Sequence, residues 1–169
     1  MKNEISGSGV EYKIIVGIDE TGTGDYFGPV VTSSCAIISE GKRNRILNLF
    51  IVKDSKVLKD SYIIKIVPSI KKRVNSSTVV ISNYTYNYLY KVVKNQNVIK
   101  TLSHILSISK NITKLRNKAI KIDRVVMDKF CSEKKLKDYI DLIVKNGVLN
   151  RFKGRSKLFL LPYKDYQLE

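Results

Sequence analysis

Two β-branched runs separated by a short glycine-rich segment are the feature that most restricts the fold of this chain. The first run spans Lys13 to Asp19, and the second spans Pro29 to Ile38. Both have the length and composition of buried β-strands, and the glycines between them permit a tight backbone turn. The sequence therefore predicts a β-hairpin whose first strand ends at the acidic pair Asp19 and Glu20.

The rest of the chain alternates between extended and helical patterns. A weaker third strand is predicted at Ile46 to Val52, where it would complete an antiparallel meander. A helix is predicted from Asp60 or Ser61 to about Val74, kinked or divided at Pro68. The remaining predicted strands are Thr78–Ser82, Arg124–Asp128 and Lys157–Leu161, and the remaining predicted helices are Tyr84–Lys94, Val98–Lys118 and Ser132–Lys145. This order predicts an α/β fold in which a mixed sheet, a meander followed by alternating helices and strands, is flanked by helices.

The chain has the size and composition of one domain. It contains 169 residues, 43% of them hydrophobic, which is enough to build a single core. We expect a flexible segment at residues 1–12 and one domain at 13–169. Cys35 and Cys131 lie in no metal-binding spacing, and we expect both to be buried in a reducing, cytoplasmic compartment. No run approaches the roughly 18 apolar residues of a membrane span, so no membrane association is predicted.

Charge is the strongest signal in the overall composition. Thirty-one Lys and Arg against 15 Asp and Glu leave a net charge of +16. Such a charge attracts polyanions, and nucleic acid is the expected partner through sequence-independent contacts to phosphate. Biased amino-acid usage in the source genome is the alternative explanation of this charge.

The segment from Gly17 to Pro29 carries the candidate chemistry. Its glycines allow backbone N–H groups to approach a phosphate or sugar closely. A dinucleotide-binding fingerprint is excluded, because that motif opens a helix, whereas Gly22, Gly24 and Gly28 precede a Val-rich strand. A kinase-type glycine loop is excluded by its spacing and by the lack of the later kinase motifs.

This segment resembles the first motif of the ribonuclease HII/HIII family, in which Asp-Glu-x-Gly-x-Gly opens the active site. The match covers Asp19 to Gly24, and the continuation to Pro29 is similar to type HIII. Similar segments follow in the family's order over residues 13 to 132. They are Asp54-Ser55-Lys56, Leu102-Ser103-His104 and Val125-Val126-Met127-Asp128-Lys129-Phe130.

The resemblance implies a ribonuclease H-like fold and an endonuclease that cuts the RNA strand of RNA–DNA hybrids. Catalytic carboxylates would be Asp19, Glu20, Asp128 and Asp165, the first three holding one or two Mg²⁺ or Mn²⁺ ions. Hard cations prefer oxygen ligands, and two ions about 4 Å apart can activate water and stabilise the leaving oxygen. Adjacent strand residues point to opposite faces, so Asp19 and Glu20 can both ligate only where the strand ends or twists.

The resemblance also implies the substrate contacts. The backbone of Gly22, Thr23 and Gly24 would lie against the RNA strand, whose 2′-hydroxyls distinguish RNA from DNA. Tyr26 is assigned to the same substrate set, and Lys56 would contact a phosphate near the cut. For the Asp54-Ser55-Lys56 segment, the alternative is a turn that caps a helix. Packing is favoured over catalysis for His104, the single histidine of the sequence.

The sequence departs from the family pattern toward its C-terminus. The Val-Ala-x-x-Ser-Ile helix that usually follows the last catalytic acid is not found after Asp128, and the surroundings of Asp165 match the family poorly. Asp165 could equally be a surface acid near a frayed terminus. We therefore expect a domain without the family's usual C-terminal helices, truncated or compact. The alternative function is an impaired, non-catalytic binder of RNA–DNA hybrid or RNA. No obligate protein partner is predicted.

Overall fold

Five strands form one mixed sheet in the computed structural model, which describes residues 12–23, 28–40, 50, 52–116, 122–145 and 166–168. The strands are β1 (Tyr12–Thr21), β2 (Val30–Glu40), β3 (Asn75–Ile81), β4 (Arg124–Met127) and β5 (Tyr166–Leu168). The helices are α1 (Asp60–Lys71), α2 (Asn83–Val93), α3 (Gln96–Arg116) and α4 (Glu133–Lys145), and a 3₁₀ turn covers Ser55–Val57. The described elements confirm the predicted α/β class with a mixed sheet.

The strand order is β3-β2-β1-β4-β5. The predicted hairpin is confirmed, since β1 and β2 are antiparallel with Asp19 opposite Ser33. Strand β3 continues the antiparallel meander, whereas β4 lies parallel to β1 with Ile18 opposite Met127. Because β1 and β4 run in the same direction, the acids at their carboxyl ends, Asp19 and Asp128, reach the same edge of the sheet.

Helix α3 lies against the sheet and joins the two parts of the core. In one hydrophobic cluster, the first half of α3, including Ile99 and Leu102, packs against β3, α2 and α4. In a second cluster, the second half of α3, including Ile108 and Ile112, packs against β1, β4 and α4. This burial on several sides makes α3 the main support behind the strands that carry the acids.

Serine side chains cap the starts of two helices, α2 and α4. The Ser82 hydroxyl accepts a hydrogen bond from the Thr85 backbone N–H at 3.3 Å, which caps α2. Ser132 caps α4 in the predicted way, accepting from the Lys135 N–H at 3.4 Å. Ser82 thus begins a helix, whereas the sequence pattern assigned it to the preceding strand.

One predicted element differs from the structure, and two others lie wholly or mostly outside the described residues. Helix α1 runs without interruption through Pro68. Ile64, one turn earlier, is 72% exposed, so water reaches the side of the helix where Pro68 leaves a carbonyl unpaired. The third strand of the meander is β3, and most of the predicted strand at 46–52 lies outside the described residues. The predicted strand at 157–161 also lies outside them, whereas β5 was not predicted. Among the described helices, none is long and apolar enough to cross a bilayer.

Candidate active site

A groove of about 1140 Å³ opens at the edge of the sheet where β1 and β4 end. It brings together segments that are far apart in the sequence. Its lining residues are Asp19, Glu20, Thr21, Gly22, Thr23, Val31, Ser33, Lys53, Asp54, Ser55, Lys56, Ile63 and Asp128. Six of the predicted site residues therefore share one groove. Gly24, Tyr26 and Asp165 lie outside the described residues.

Asp19 lies on the groove side of the sheet, because Val16 and Ile18 alternate with Gly17 and Asp19 and turn toward the helices. Burial raises the pKa of Asp19, and the negative charges of Asp128 and Glu20 raise it further. A hydrogen bond of 2.8 Å from the Glu20 backbone N–H to Asp19 Oδ1 acts in the opposite direction. Asp19 is thus a carboxylate whose negative charge is disfavoured by its surroundings.

Glu20 lies on the helix side of the same strand. Its neighbour across the β1–β2 ladder is Thr32, whose hydroxyl is 2.7 Å from that of Ser103 on α3. Glu20 Oε1 is 2.5 Å from Lys100 Nζ, and Glu20 Oε2 is 2.8 Å from His104 Nε2. The hydrogen bond from His104 is the main reason why the pKa of Glu20 falls to about 2, with Lys100 contributing and burial opposing.

His104 belongs to the support of this carboxylate. Its side chain is 2% exposed, and an ionised carboxylate only accepts hydrogen bonds, so Nε2 of His104 carries the donated proton. Its Nδ1 is buried without a hydrogen-bond partner among the described residues. The expected packing role therefore includes a polar contact, which the sequence pattern did not indicate.

Phe130 connects this carboxylate support to the end of β4. Its ring contacts His104 edge-to-face at 5.4 Å between centroids, and Lys100 Nζ lies 4.8 Å from the ring centroid. Phe130 follows Asp128 by two positions, so the cluster of Glu20, Lys100, His104 and Phe130 ties the ends of β1 and β4 together. Lys100 was not predicted as a site residue, although a lysine one turn before His104 in an apolar helix was an available signal.

Gly22 has a structural reason to be glycine. Its φ is +82°, and a Cβ at this position would lie 2.2 Å from the carbonyl oxygen of Pro29. Any side chain would have to displace the start of β2. Gly22 is therefore needed to close the hairpin beneath the groove.

The Asp54-Ser55-Lys56 segment forms a capped turn. Asp54 Oδ1 accepts a hydrogen bond of 2.9 Å from the Lys56 backbone N–H and thereby caps the 3₁₀ turn. A phosphate-binding role of Lys56 stays a prediction, and the capping turn expected as its alternative is present around the 3₁₀ turn. It leaves the Lys56 side chain exposed along the groove, where a cation can meet an anionic ligand.

The donor set on the groove suits a hard divalent cation. Asp19 and Asp128 offer carboxylate oxygens, and the charge of Asp128 disfavours that of Asp19, which a cation would compensate. The described residues nevertheless form no group of three or more His, Cys, Asp or Glu arranged to hold a metal ion. The two carboxylate oxygens of Glu20 face Lys100 and His104.

Comparison with known proteins identifies relatives of this chain. It is 37% identical to the ribonuclease HIII of Phytoplasma mali over 125 residues, which cover 74% of this chain and 41% of that protein. It is 36% identical to the ribonuclease HIII of Bacillus velezensis over 123 residues, which cover 73% of this chain and 38% of that protein. The chain thus spans about two fifths of the length of these curated relatives.

Solved structures show the same fold. A structure of Bst-RNase HIII in complex with Mn²⁺ matches with a TM-score of 0.71 and 24% sequence identity, over 93% of this chain and 45% of that chain. The family model described as ribonuclease HII matches residues 16–161, which contain the acidic pair, Lys56, His104 and Asp128. By this match the chain belongs to the ribonuclease HII family, in which the curated relatives named above are ribonucleases HIII.

Proposed function

We propose that this chain is an endoribonuclease that cleaves the RNA strand of RNA–DNA hybrids by divalent-metal-assisted hydrolysis. The observation that carries the proposal is the meeting of Asp19 and Asp128 in one groove, at the ends of two parallel strands. Its membership of the ribonuclease HII family supports the same reaction. The chain matches only part of its relatives, so the activity of the whole proteins is extended to it as a proposal.

The proposed metal ligands are Asp19, Glu20 and Asp128, with Asp165 as a fourth catalytic acid that remains a prediction. A bound Mg²⁺ or Mn²⁺ would supply water activation and stabilisation of the leaving oxygen. Asp19 and Asp128 present oxygens to the groove, whereas Glu20 approaches it from the helix side. The solved Mn²⁺ complex of Bst-RNase HIII supports the choice of cation.

The proposed substrate contacts lie along the same groove. Lys56 is exposed there and would bind a phosphate, while the turn at Gly22 and Thr23 brings backbone close to the sugar–phosphate chain. Gly24 and Tyr26 complete the proposed set. The net charge of +16 favours a polyanionic duplex over a small neutral substrate.

A cytoplasmic location is part of the proposal. Its support is that Cys35 and Cys131 are both free thiols. Unpaired cysteines are typical of reducing compartments.

The test is cleavage of a labelled RNA–DNA hybrid in Mg²⁺ or Mn²⁺. We expect metal-dependent cleavage in the wild type and a loss of about a hundredfold or more in Asp19→Asn and Asp128→Asn. Asp141→Asn is the matched control, because Asp141 is exposed on α4 and does not line the groove. Tight, salt-sensitive binding without cleavage in either metal would favour the non-catalytic binder.

A further inference from the structure

Lys100 contacts the acidic cluster from the side of α3 and does not line the groove. Its neighbours on α3, Ile99 and Thr101, are 1% exposed, and its own side chain is 16% exposed. A lysine removed from water is costly unless it is paired. Lys100 is paired twice, with the Glu20 carboxylate at 2.5 Å and with the Phe130 ring at 4.8 Å.

We propose that Lys100 is an internal counter-cation of the candidate metal site, which neutralises Glu20 from the helix side and weakens divalent binding before substrate arrives. The inference rests on the proposed function, because it takes Asp19, Glu20 and Asp128 as the metal ligands. It adds a positioning residue that acts through Glu20 and leaves the substrate contacts unchanged.

Charge balance supports this role. Asp19, Glu20 and Asp128 together carry three negative charges, and the Lys100 ammonium offsets one of them. The two charges that remain on these three carboxylates would be balanced by a single divalent cation. A second cation would meet the ammonium of Lys100 at short range in a partly buried site, where Coulomb repulsion is only weakly screened.

Geometry supports the same role. Both oxygens of Glu20 are engaged on the α3 side, with Lys100 on one and His104 on the other. The described residues accordingly lack a three-ligand metal group. Removing the Lys100 ammonium frees Glu20 Oε1, the oxygen that would otherwise be retained by the ion pair.

The experiment measures Mn²⁺ binding to metal-free protein by calorimetry and electron paramagnetic resonance, without nucleic acid. We expect Lys100→Met to bind Mn²⁺ about tenfold more tightly than the wild type, because one positive charge beside the site is lost. The control is Lys110→Met, which removes the same charge from the same helix. Lys110 is exposed and lines a separate pocket with Ser76 and Thr78, so its removal should leave Mn²⁺ affinity within about twofold.

Three further variants test whether the charge of Lys100 matters and whether it acts through Glu20. In a Glu20→Gln background, Lys100→Met should tighten Mn²⁺ binding by clearly less than tenfold, since the ion pair is already absent and only the direct repulsion by the ammonium is relieved. Lys100→Arg keeps the charge and should restore affinity close to that of the wild type. Lys100→Gln removes the charge but keeps a hydrogen-bond donor, and it replaces Lys100→Met if thermal unfolding shows that the methionine variant is not folded.

The outcomes separate this inference from the proposed function. Unchanged or weaker Mn²⁺ binding in folded Lys100→Met and Lys100→Gln would overturn the counter-cation role, even if the wild type cleaves hybrid. Tighter binding in both, coupled to Glu20, would support it, even if no hybrid is cleaved. In that second case the proposed nuclease activity fails and the cation site remains.

Discussion

Asp19 and Glu20 are adjacent in the sequence and lie in opposite electrostatic environments. Asp19 faces a groove where burial and two other acids disfavour its charge, and its pKa is raised. Glu20 faces α3, where a hydrogen bond and an ammonium favour its charge, and its pKa is lowered to about 2. The strand alternation that separates them therefore gives one acid a destabilising charge and the other a stabilising one.

Neutralising each acid should change stability with opposite sign. At pH 7 without metal, we expect Asp19→Asn to raise the free energy of unfolding by up to about 1 kcal/mol, since it removes a disfavoured charge in a partly screened position. Glu20→Gln should lower it by about 1–3 kcal/mol, because Lys100 and His104 lose their ionised partner. Urea unfolding measures both, with Asp141→Asn as the control. A fall in stability in Asp19→Asn would contradict the assigned environment.

The Glu20 pKa also predicts a pH window. Glu20 titrates near 4.5 in an ordinary environment and near 2 in the folded protein, so the unfolded state takes up its proton first as pH falls. The stabilisation from Glu20 is therefore complete above about pH 4.5 and is lost as pH falls toward 2. As pH falls from about 4.5 toward 2, we expect the free energy of unfolding of Glu20→Gln to decrease less than that of the wild type. Urea titrations at successive pH values test this, and equal losses in the two proteins would count against it.

At the residue level, the grouping of the acids could be predicted because a motif encodes their geometry. The family resemblance implied Asp19, Glu20 and Asp128, and all three line one groove, while their catalytic roles stay a prediction. Lys100 was missed because its contact with Glu20 joins a strand to a helix 80 residues later, and no local pattern specifies that pairing. The orientation of Glu20 was only partly predicted, since alternation was recognised but the partner on α3 was not.

Helix α3 meets the sheet through a seam of small polar side chains. Ser103, Ser107 and Asn111 recur every four residues on the face that contacts β2 and β3. The Ser107 hydroxyl donates to Ser77 O at 3.0 Å and lies 3.0 Å from Ser34 Oγ, while Asn111 Nδ2 donates to Asn75 O at 3.2 Å. Small side chains let the helix approach closely, and these bonds satisfy buried polar atoms.

This seam predicts the effect of a small substitution. We expect Ser107→Ala to lower the free energy of unfolding by about 1–2 kcal/mol, because it leaves Ser34 with fewer partners in a fully buried position. Ser61→Ala on α1 is the control, since Ser61 is exposed, and its effect should stay within about 0.5 kcal/mol. Chemical unfolding compares them. Equal effects would show that the seam adds no stability beyond packing.

Helix existence was easier to predict than the polar seam. The apolar spacing of Ile99, Leu102 and Ile112 identified α3, and Ser132 identified the start of α4. From the sequence alone, the seam on α3 cannot be distinguished from an ordinary solvent-exposed polar face, because serine and asparagine are also common on solvated helices. Only the position of β2 and β3 shows that this face is buried.

At the scale of the whole molecule, the site depends on strand order. Asp128 reaches Asp19 because β4 lies beside β1 and parallel to it, across a long stretch of intervening sequence. Alternating helices and strands predicted a mixed sheet with flanking helices. They did not specify that β4 would pair with β1, because periodicity describes each element separately and contains no information about its neighbour.

The net charge of +16 leads to the prediction for the whole molecule. If about four phosphates of a hybrid are neutralised, affinity should fall roughly a hundredfold between about 50 and 200 mM salt, with a linear double-logarithmic plot. Fluorescence anisotropy of a labelled hybrid, in EDTA to prevent cleavage, measures this fall in affinity.

Removing one phosphate contact reduces the slope of this plot by about one, so Lys56→Met, on the groove, should flatten the plot by that amount. Lys110→Met, outside the groove, should leave the slope nearly unchanged. Equal slopes for the two variants would show that the hybrid is held by diffuse charge, without the phosphate contact proposed for Lys56.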